Sequence, residues 1–318
     1  MPTKDLILVI GMHRTGSSII TCGVQALGID LGDNLMPPAE NNNSKGFFED
    51  LDLNAINEAL LGEIGAKWHH LSWIDETALR TGEQFADLRT KAAILLTSKF
   101  ENCQSFAFKD PRTAVFLPFW LQVCDQIAAE PHFIIGVRNP LECAQSLHNR
   151  DGFHLVRGVL LWAKHMIDAI RWTQDHHQLC VGYQQMLSSP ETELQRIADW
   201  LDLSPDPGRP SAIDEYRDDF LDQRLRRHDS SAAELARSIM VPPFVAELYQ
   251  QLVVLAATAS DDREIEIDWQ SLDCQLQRIR PLFDIAMLFE RKNPPPFDFD
   301  GLLKMAKALQ SSVQRDDR

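Results

Sequence analysis

Close to its start the chain runs Leu6-Ile7-Leu8-Val9-Ile10 and continues Gly11-Met12-His13-Arg14-Thr15-Gly16-Ser17-Ser18. An unbroken apolar run closed by glycine is the pattern of a strand buried on both faces, as in a parallel sheet. After Ser17 the period changes. Ile19, Ile20, Val24 and Leu27 recur at helical spacing, and Gly28 ends the segment. A buried strand that turns through two glycines into a helix confines the chain to the parallel α/β folds.

The turn itself implies chemistry. Its glycines let several backbone N–H groups aim at one anion, the helix start adds a favourable dipole, and Thr15, Ser17 and Ser18 add hydroxyls. The spacing is GxxxxG followed by Ser17-Ser18, close to a P-loop. Ser17 stands where the P-loop lysine reaches the β- and γ-phosphates, and Arg14 is the cation of the loop. Such a loop suits a phosphate-like group and is poorly built for a nucleoside triphosphate.

Further buried strands are predicted at 106–108, 133–137 and 179–183. Helical patterns separate them at 83–100, 111–127, 140–149, 155–175 and 190–201. Alternation of this kind predicts a P-loop-type doubly wound parallel sheet flanked by helices, with ligands beyond the carboxyl ends of the strands. A turn-rich stretch, Ser204 to Pro210, precedes a change of character. Residues 1–229 are expected to form the α/β domain. Residues 230–318 are expected to form a helical extension on it, broken at Pro242-Pro243 and Pro294-Pro295-Pro296.

A net charge of −15 argues against nucleic acid or anionic membrane as a partner. It also makes a local gathering of arginines informative. The six cysteines show no CxxC pair and no zinc spacing, so no metal site is expected. No apolar run reaches the roughly 20 residues of a membrane span, and Met1 to Ile10 ends without a cleavage site. A cytoplasmic location is expected.

A second motif, Val137-Arg138-Asn139-Pro140, follows a predicted strand, with Ser146 eight residues after Arg138. Arginine supplies a fork of donors matched to phosphate, and a serine on the first turns of the next helix adds a hydroxyl. Together with Arg14-Thr15-Gly16-Ser17-Ser18, this resembles the sulfotransferase family, which uses 3′-phosphoadenosine 5′-phosphosulfate (PAPS) and releases 3′-phosphoadenosine 5′-phosphate (PAP). The resemblance covers roughly residues 5 to 230. It implies that His13, Arg14, Thr15, Gly16, Ser17 and Ser18 hold the 5′-phosphosulfate, and that Arg138 and Ser146 hold the 3′-phosphate. Lys109-Asp110-Pro111-Arg112 and Lys45-Gly46-Phe47-Phe48-Glu49 look like a bacterial branch, Tyr183 matches a tyrosine near the nucleotide, and Arg226-Arg227 resembles a basic segment closing over the donor. The glycine-rich RKGxxGDW segment of the eukaryotic cytosolic members is absent.

Sulfuryl transfer asks for cations at the leaving oxygen and a base at the acceptor proton. Arg14, supported by Lys109, suits the first task. Glu49 is the favoured base, with His13, His69, His70 and Asp110 as alternatives. The stretch Lys67-Trp68-His69-His70-Leu71-Ser72-Trp73 could line an acceptor pocket, and its aromatic faces suit sugars, phenols or lipid chains equally. Two other readings stay open: a P-loop phosphotransferase on a small substrate, and a non-catalytic nucleotide-binding partner protein.

Overall fold

The computed structural model describes residues 4–39, 43, 45–71, 74–204, 206–221, 232–258 and 267–290. Its centre is a parallel sheet of β1 (Lys4–Ile10), β2 (Ser105–Lys109), β3 (Ala129–Val137) and β4 (His177–Gly182), in the order β2-β1-β3-β4. Each predicted strand is present, with Tyr183 moved from the last strand to the helix that follows. The reason for a continuous apolar run in β1 is visible in its packing. Leu6, Leu8 and Ile10 point into one core and Ile7 and Val9 into the other, so neither face of the strand meets water.

Helices cover both faces. α1 (Ser17–Ala26), α8 (Tyr183–Ser188) and α9 (Pro190–Trp200) enclose the smaller core, joined by α10 (Arg209–Glu215) and a π-turn at Tyr216–Phe220. The larger core gathers α2 (Leu51–Glu63), α3 (Glu76–Thr81), α4 (Ala86–Lys99), α5 (Leu117–Ile127), α6 (Pro140–Asp151) and α7 (Leu155–Thr173). Short 3₁₀ turns at Glu83–Phe85 and Pro111–Phe116 lead into α4 and α5. The helix α2 is absent from the sequence reading. Asp50 caps it by accepting from the Asp52 and Leu53 amides.

The C-terminal segments are α11 (Ala232–Arg237), α12 (Pro243–Ala257) and α13 (Trp269–Glu290). Pro242 and Pro243 stand at the start of α12, where a missing N–H costs nothing. Phe244, Val245, Leu248 and Leu252 of α12 join the same core as β1 and α7, and α12 lies against β3 and β4. The predicted break at Pro294-Pro295-Pro296 lies outside the described residues. Among the described residues, no helix is long and apolar enough to cross a membrane.

The strand order positions the site. From β1 the chain crosses to β2 on one side, and then to β3 on the other. The loops leaving the carboxyl ends of β1 and β3 therefore diverge and leave a crevice, the place where open α/β sheets bind ligands. Residues 11–18 leave β1 and residues 138–146 leave β3.

Candidate active site

The loop after β1 is built to present backbone amides. Gly16 caps α1 at φ 95°, and a Cβ there would come within 2.4 Å of the Tyr183 ring, so only glycine fits. The peptides that follow open α1 with their N–H groups unclaimed by the helix. Thr15 turns inward: its hydroxyl donates to the Met12 carbonyl at 2.8 Å and staples the loop. Ser17 is buried, and Ser18 donates to the Phe47 carbonyl at 3.3 Å while accepting from Asn43 and Lys109. Arg14 sits at φ 73°, an uncommon conformation for a residue with a Cβ.

What holds Arg14 there comes from β3 and α6. Arg138 Nη1 donates to the Arg14 carbonyl at 3.0 Å, and Arg14 Nε donates to Ser146 Oγ at 2.8 Å. The two motifs, far apart in sequence, thus close on each other across the crevice. Arg138 is further placed by Glu142, which accepts from its Nε at 3.0 Å, and by the Tyr183 ring, whose centroid is 4.0 Å from the guanidinium carbon. Burial, with Arg150 and Arg138 nearby, lowers the Arg14 pKa. An anion in the crevice relieves that crowding of positive charge.

A second cluster lies under Ser18. Lys109, at the end of β2, donates to Glu49 Oε1 at 2.7 Å, to the Phe47 carbonyl at 3.1 Å and to Ser18 Oγ at 3.4 Å. The other Glu49 oxygen accepts from Asn54 at 2.8 Å and from Arg112 Nη2 at 3.3 Å. Arg112 also binds Asp110 at 2.7 Å and pairs with Glu58. Asn57 fixes Asp110 and Thr113 and accepts from the Trp120 indole. Burial raises the Asp110 pKa, against the pull of Arg112. Asp110 accepts from the Arg112 amide and so caps the turn at Pro111. Glu49 and Lys109 are nearly sealed from water. Phe48, beside Glu49, faces the other way and meets Phe220 edge-on at 5.3 Å.

His13 lies between these clusters. Its Nε2 is buried, with no hydrogen-bond partner among the described residues, and its ring rests against Trp68 at 4.2 Å. Burial first, then Arg112 and Arg150, holds its pKa well below the ordinary value, so the imidazole is neutral at pH 7. His70 accepts from the Lys67 amide through Nδ1 and is buried.

The structure thus brings His13, Arg14, Thr15, Gly16, Ser17, Ser18, Glu49, Lys109, Arg138, Ser146 and Tyr183 into one neighbourhood. Arg226 and Arg227 lie outside the described residues, as does Trp73. Sequence reasoning quoted Arg112 within the Lys109-Asp110-Pro111-Arg112 motif without giving it a role, and it missed Glu142, Asn54 and Asn57. The two asparagines carried a usable signal: polar residues three apart on what becomes the buried face of α2. Among the described residues, no group of three or more His, Cys, Asp or Glu side chains is arranged to hold a metal ion.

No protein-family model matches the chain, and no curated protein matches it in sequence. Among solved structures it is similar to the sulfotransferase domain from the curacin biosynthetic pathway, at 13% identity, covering 87% of this chain and 99% of that one with a TM-score of 0.41. The sulfotransferase domain of the Synechococcus PCC 7002 olefin synthase matches at 14% identity, over 87% and 96% of the two chains, TM-score 0.41. Sulfotransferase STF9 from Mycobacterium avium matches at 16% identity, over 84% and 79%, TM-score 0.42.

Proposed function

We propose that the chain is a PAPS-dependent sulfotransferase that moves a sulfuryl group to an acceptor hydroxyl or amine and releases PAP. The observation that supports this most is the contact of Arg14 with Ser146 and of Arg138 with the Arg14 carbonyl. It brings an amide-rich anion cradle and an arginine–serine pair to one crevice, as a donor phosphorylated at both ends requires. The residues fit that donor. A glycine with no room for a Cβ and a buried arginine crowded by like charges both suit an anion.

In this reading the amides of Gly16, Ser17 and Ser18 and the Arg14 guanidinium bind the 5′-phosphosulfate, and Arg138 with Ser146 binds the 3′-phosphate. Tyr183 packs beneath Gly16 and Arg138 and holds both in register. The bond from sulfur to the acceptor oxygen or nitrogen forms as the bond from sulfur to the bridging oxygen breaks. Arg14, supported by Lys109, meets the charge that grows on the leaving phosphate. Glu49 takes the acceptor proton, its carboxylate placed by Lys109, Asn54 and Arg112. The test is to incubate the protein with PAPS and a library of hydroxyl and amine compounds. The expected result is PAP release matched by addition of one sulfuryl group to an acceptor, read by mass spectrometry. Transfer of a phosphoryl group from ATP with magnesium, and none from PAPS, overturns the reading.

A further inference from the structure

Asn43 and residues 45–49 lie across the start of α1. On the side of the anion loop, the Asn43 side-chain amide donates to Ser18 Oγ at 3.2 Å. The Phe47 carbonyl accepts from Ser18 at 3.3 Å and from Lys109 at 3.1 Å. Of the three oxygens around the Lys109 ammonium, the Phe47 carbonyl and Glu49 Oε1 belong to this stretch, and Ser18 Oγ is held against it.

On its far side the same stretch grips the π-turn twice. Lys45 Nζ donates to the Asp219 and Phe220 carbonyls at 2.9 and 2.7 Å, and lies 5.8 Å from the Phe220 ring centroid. The last carbonyls of a helical turn lack intrahelical donors, so a lysine there is favoured. Phe48 meets the same ring edge-on, and its backbone takes φ 56° to do so. A bulky residue adopts that conformation only where its surroundings impose it. Gly46, at φ 108°, makes room for the Phe48 ring, which a Cβ would approach to 3.3 Å. The π-turn is itself fixed to α1, because Tyr216 stacks on Phe220 and donates to the Ile19 carbonyl at 3.2 Å. Both sides of the stretch therefore rest on α1, one through Ser18 and the other through Tyr216.

We propose that Lys45 and Phe48 are positioning residues for the transfer step: they clasp Phe220 and so hold the Phe47 carbonyl where it orients Lys109 between Ser18 and Glu49. The proposal rests on the sulfuryl-transfer reading above, in which Lys109 supports Arg14 at the leaving oxygen and places the Glu49 carboxylate. A lysine ammonium is a point charge on a flexible stem, so the acceptors around it set its direction. With the clasp open, the Phe47 carbonyl leaves Lys109, and the ammonium swings toward Glu49. Misplacement of such a group by about 1 Å costs up to about a hundredfold in rate. Arg14, Arg138 and Ser146, which bind the donor in that reading, are held by contacts of their own, so donor affinity is expected to persist.

Hydrogen exchange of the full chain without ligand, read by mass spectrometry, tests the clasp. Lys45→Met keeps the stem and loses the donors, and is expected to speed exchange across residues 43–48 about tenfold, the effect of one charge-assisted bond. The Met36 amide, bonded to the Glu49 carbonyl at 2.7 Å, should exchange as before. PAP release from PAPS, with the hydroxyl and amine library pooled as acceptor, tests the use of the clasp. In Lys45→Met kcat is expected to fall at least about tenfold, while KM for PAPS, PAP affinity and melting temperature stay as they were. Lys45→Arg, which restores the donors, should recover most of the rate. Phe48→Gly suits the left-handed backbone and removes only the ring, so its expected loss of kcat cannot come from backbone strain. Unchanged exchange across 43–48, or wild-type kcat in both Lys45→Met and Phe48→Gly, overturns the proposal. A loss shared with PAP affinity and melting temperature overturns it too, since the contacts then serve the fold alone. Wild-type protein that neither binds PAP nor releases it from PAPS overturns the transfer reading instead, and the exchange comparison still decides whether the clasp holds Phe47.

Discussion

Arg138 performs three tasks at once: it donates to the Arg14 carbonyl, pairs with Glu142 and lies over the Tyr183 ring. Arg138→Ala is therefore expected to weaken PAP binding by about 1.5–3 kcal/mol, the size of a charged hydrogen bond. Ser146→Ala, which removes one neutral partner of Arg14, should cost less. Calorimetry with PAP and with a nucleotide lacking the 3′-phosphate separates the phosphate contact from the support of the loop. The loss should shrink markedly for the second nucleotide, and equal losses would mean that Arg138 acts through the fold alone. Glu49→Gln keeps the shape beside Lys109 and Asn54. Sulfuryl transfer is expected to fall by at least about a hundredfold while donor binding persists in the same preparation. Normal transfer in Glu49→Gln, with His13→Ala inactive, would move the base to the loop histidine. That Arg14 would meet Arg138 and Ser146 was legible in the sequence because each sits at fixed spacing from a strand end. Arg112 was quoted in a motif, but its contact with Glu49 was not legible. Its place beside Glu49 depends on the turn at 111–116 meeting the loop before α2, a contact between segments some sixty residues apart.

At the scale of elements, the position of α6 decides whether Ser146 reaches Arg14. The crossing of α6 with α7 is set by Gly158, where a Cβ would lie 2.7 Å from both Cα and Cβ of Ala144. Gly158→Ala should force the helices apart at an overpacking cost of about 1–3 kcal/mol. The melting temperature is expected to fall, and PAP affinity with it, because Ser146 and Arg150 ride on α6. A fall in melting temperature with PAP affinity intact would show that the donor site tolerates movement of α6. The four strands were legible from the apolar runs they contain, whereas the starts of β3 at Ala129 and of β4 at His177 were not, because Glu130, His132, His177 and Gln178 precede those runs. The helix α2 was harder to see. Asn54 and Asn57 interrupt its apolar face, and both are buried for reasons that lie elsewhere, on Glu49, Asp110 and Trp120. The helices α11 to α13 were visible as helices, whereas the docking of α12 on β3 and β4 needed the structure.

The whole molecule is acidic, and of the cations around the crevice Lys109, Arg112, Arg138 and Arg150 are paired with Glu49, Asp110, Glu142 and Asp151, whereas Arg14 binds the neutral Ser146. A separate charge cluster sets the response to pH. Asp168 on α7 has its carboxyl pushed up to about 7, chiefly by burial, with Glu76 and Asp273 adding to the shift and Lys164 and Arg171 opposing it. Since the folded pKa lies above the unfolded one, the unfolded chain has ionised this group from about pH 4 while the folded chain keeps its proton. Its contribution to stability therefore declines from about pH 4 to about pH 7 and levels off above that. Asp168→Asn removes the penalty, so the variant should melt above the wild type at about pH 8, with the gap narrowing towards about pH 4. A gap that does not change with pH would show that Asp168 ionises freely in the folded protein.

The reading of the crevice as a PAPS site is tested most directly by thermal unfolding with three nucleotides on the unmodified protein. PAP, at about 100 times its dissociation constant, is expected to add roughly 2.7 kcal/mol and raise the melting temperature clearly. At equal concentration, the nucleotide lacking the 3′-phosphate should raise it much less, and ATP with magnesium hardly at all. A larger shift with ATP and magnesium than with PAP would contradict the assignment of Arg138 and Ser146 to a 3′-phosphate, and with it the proposed reaction.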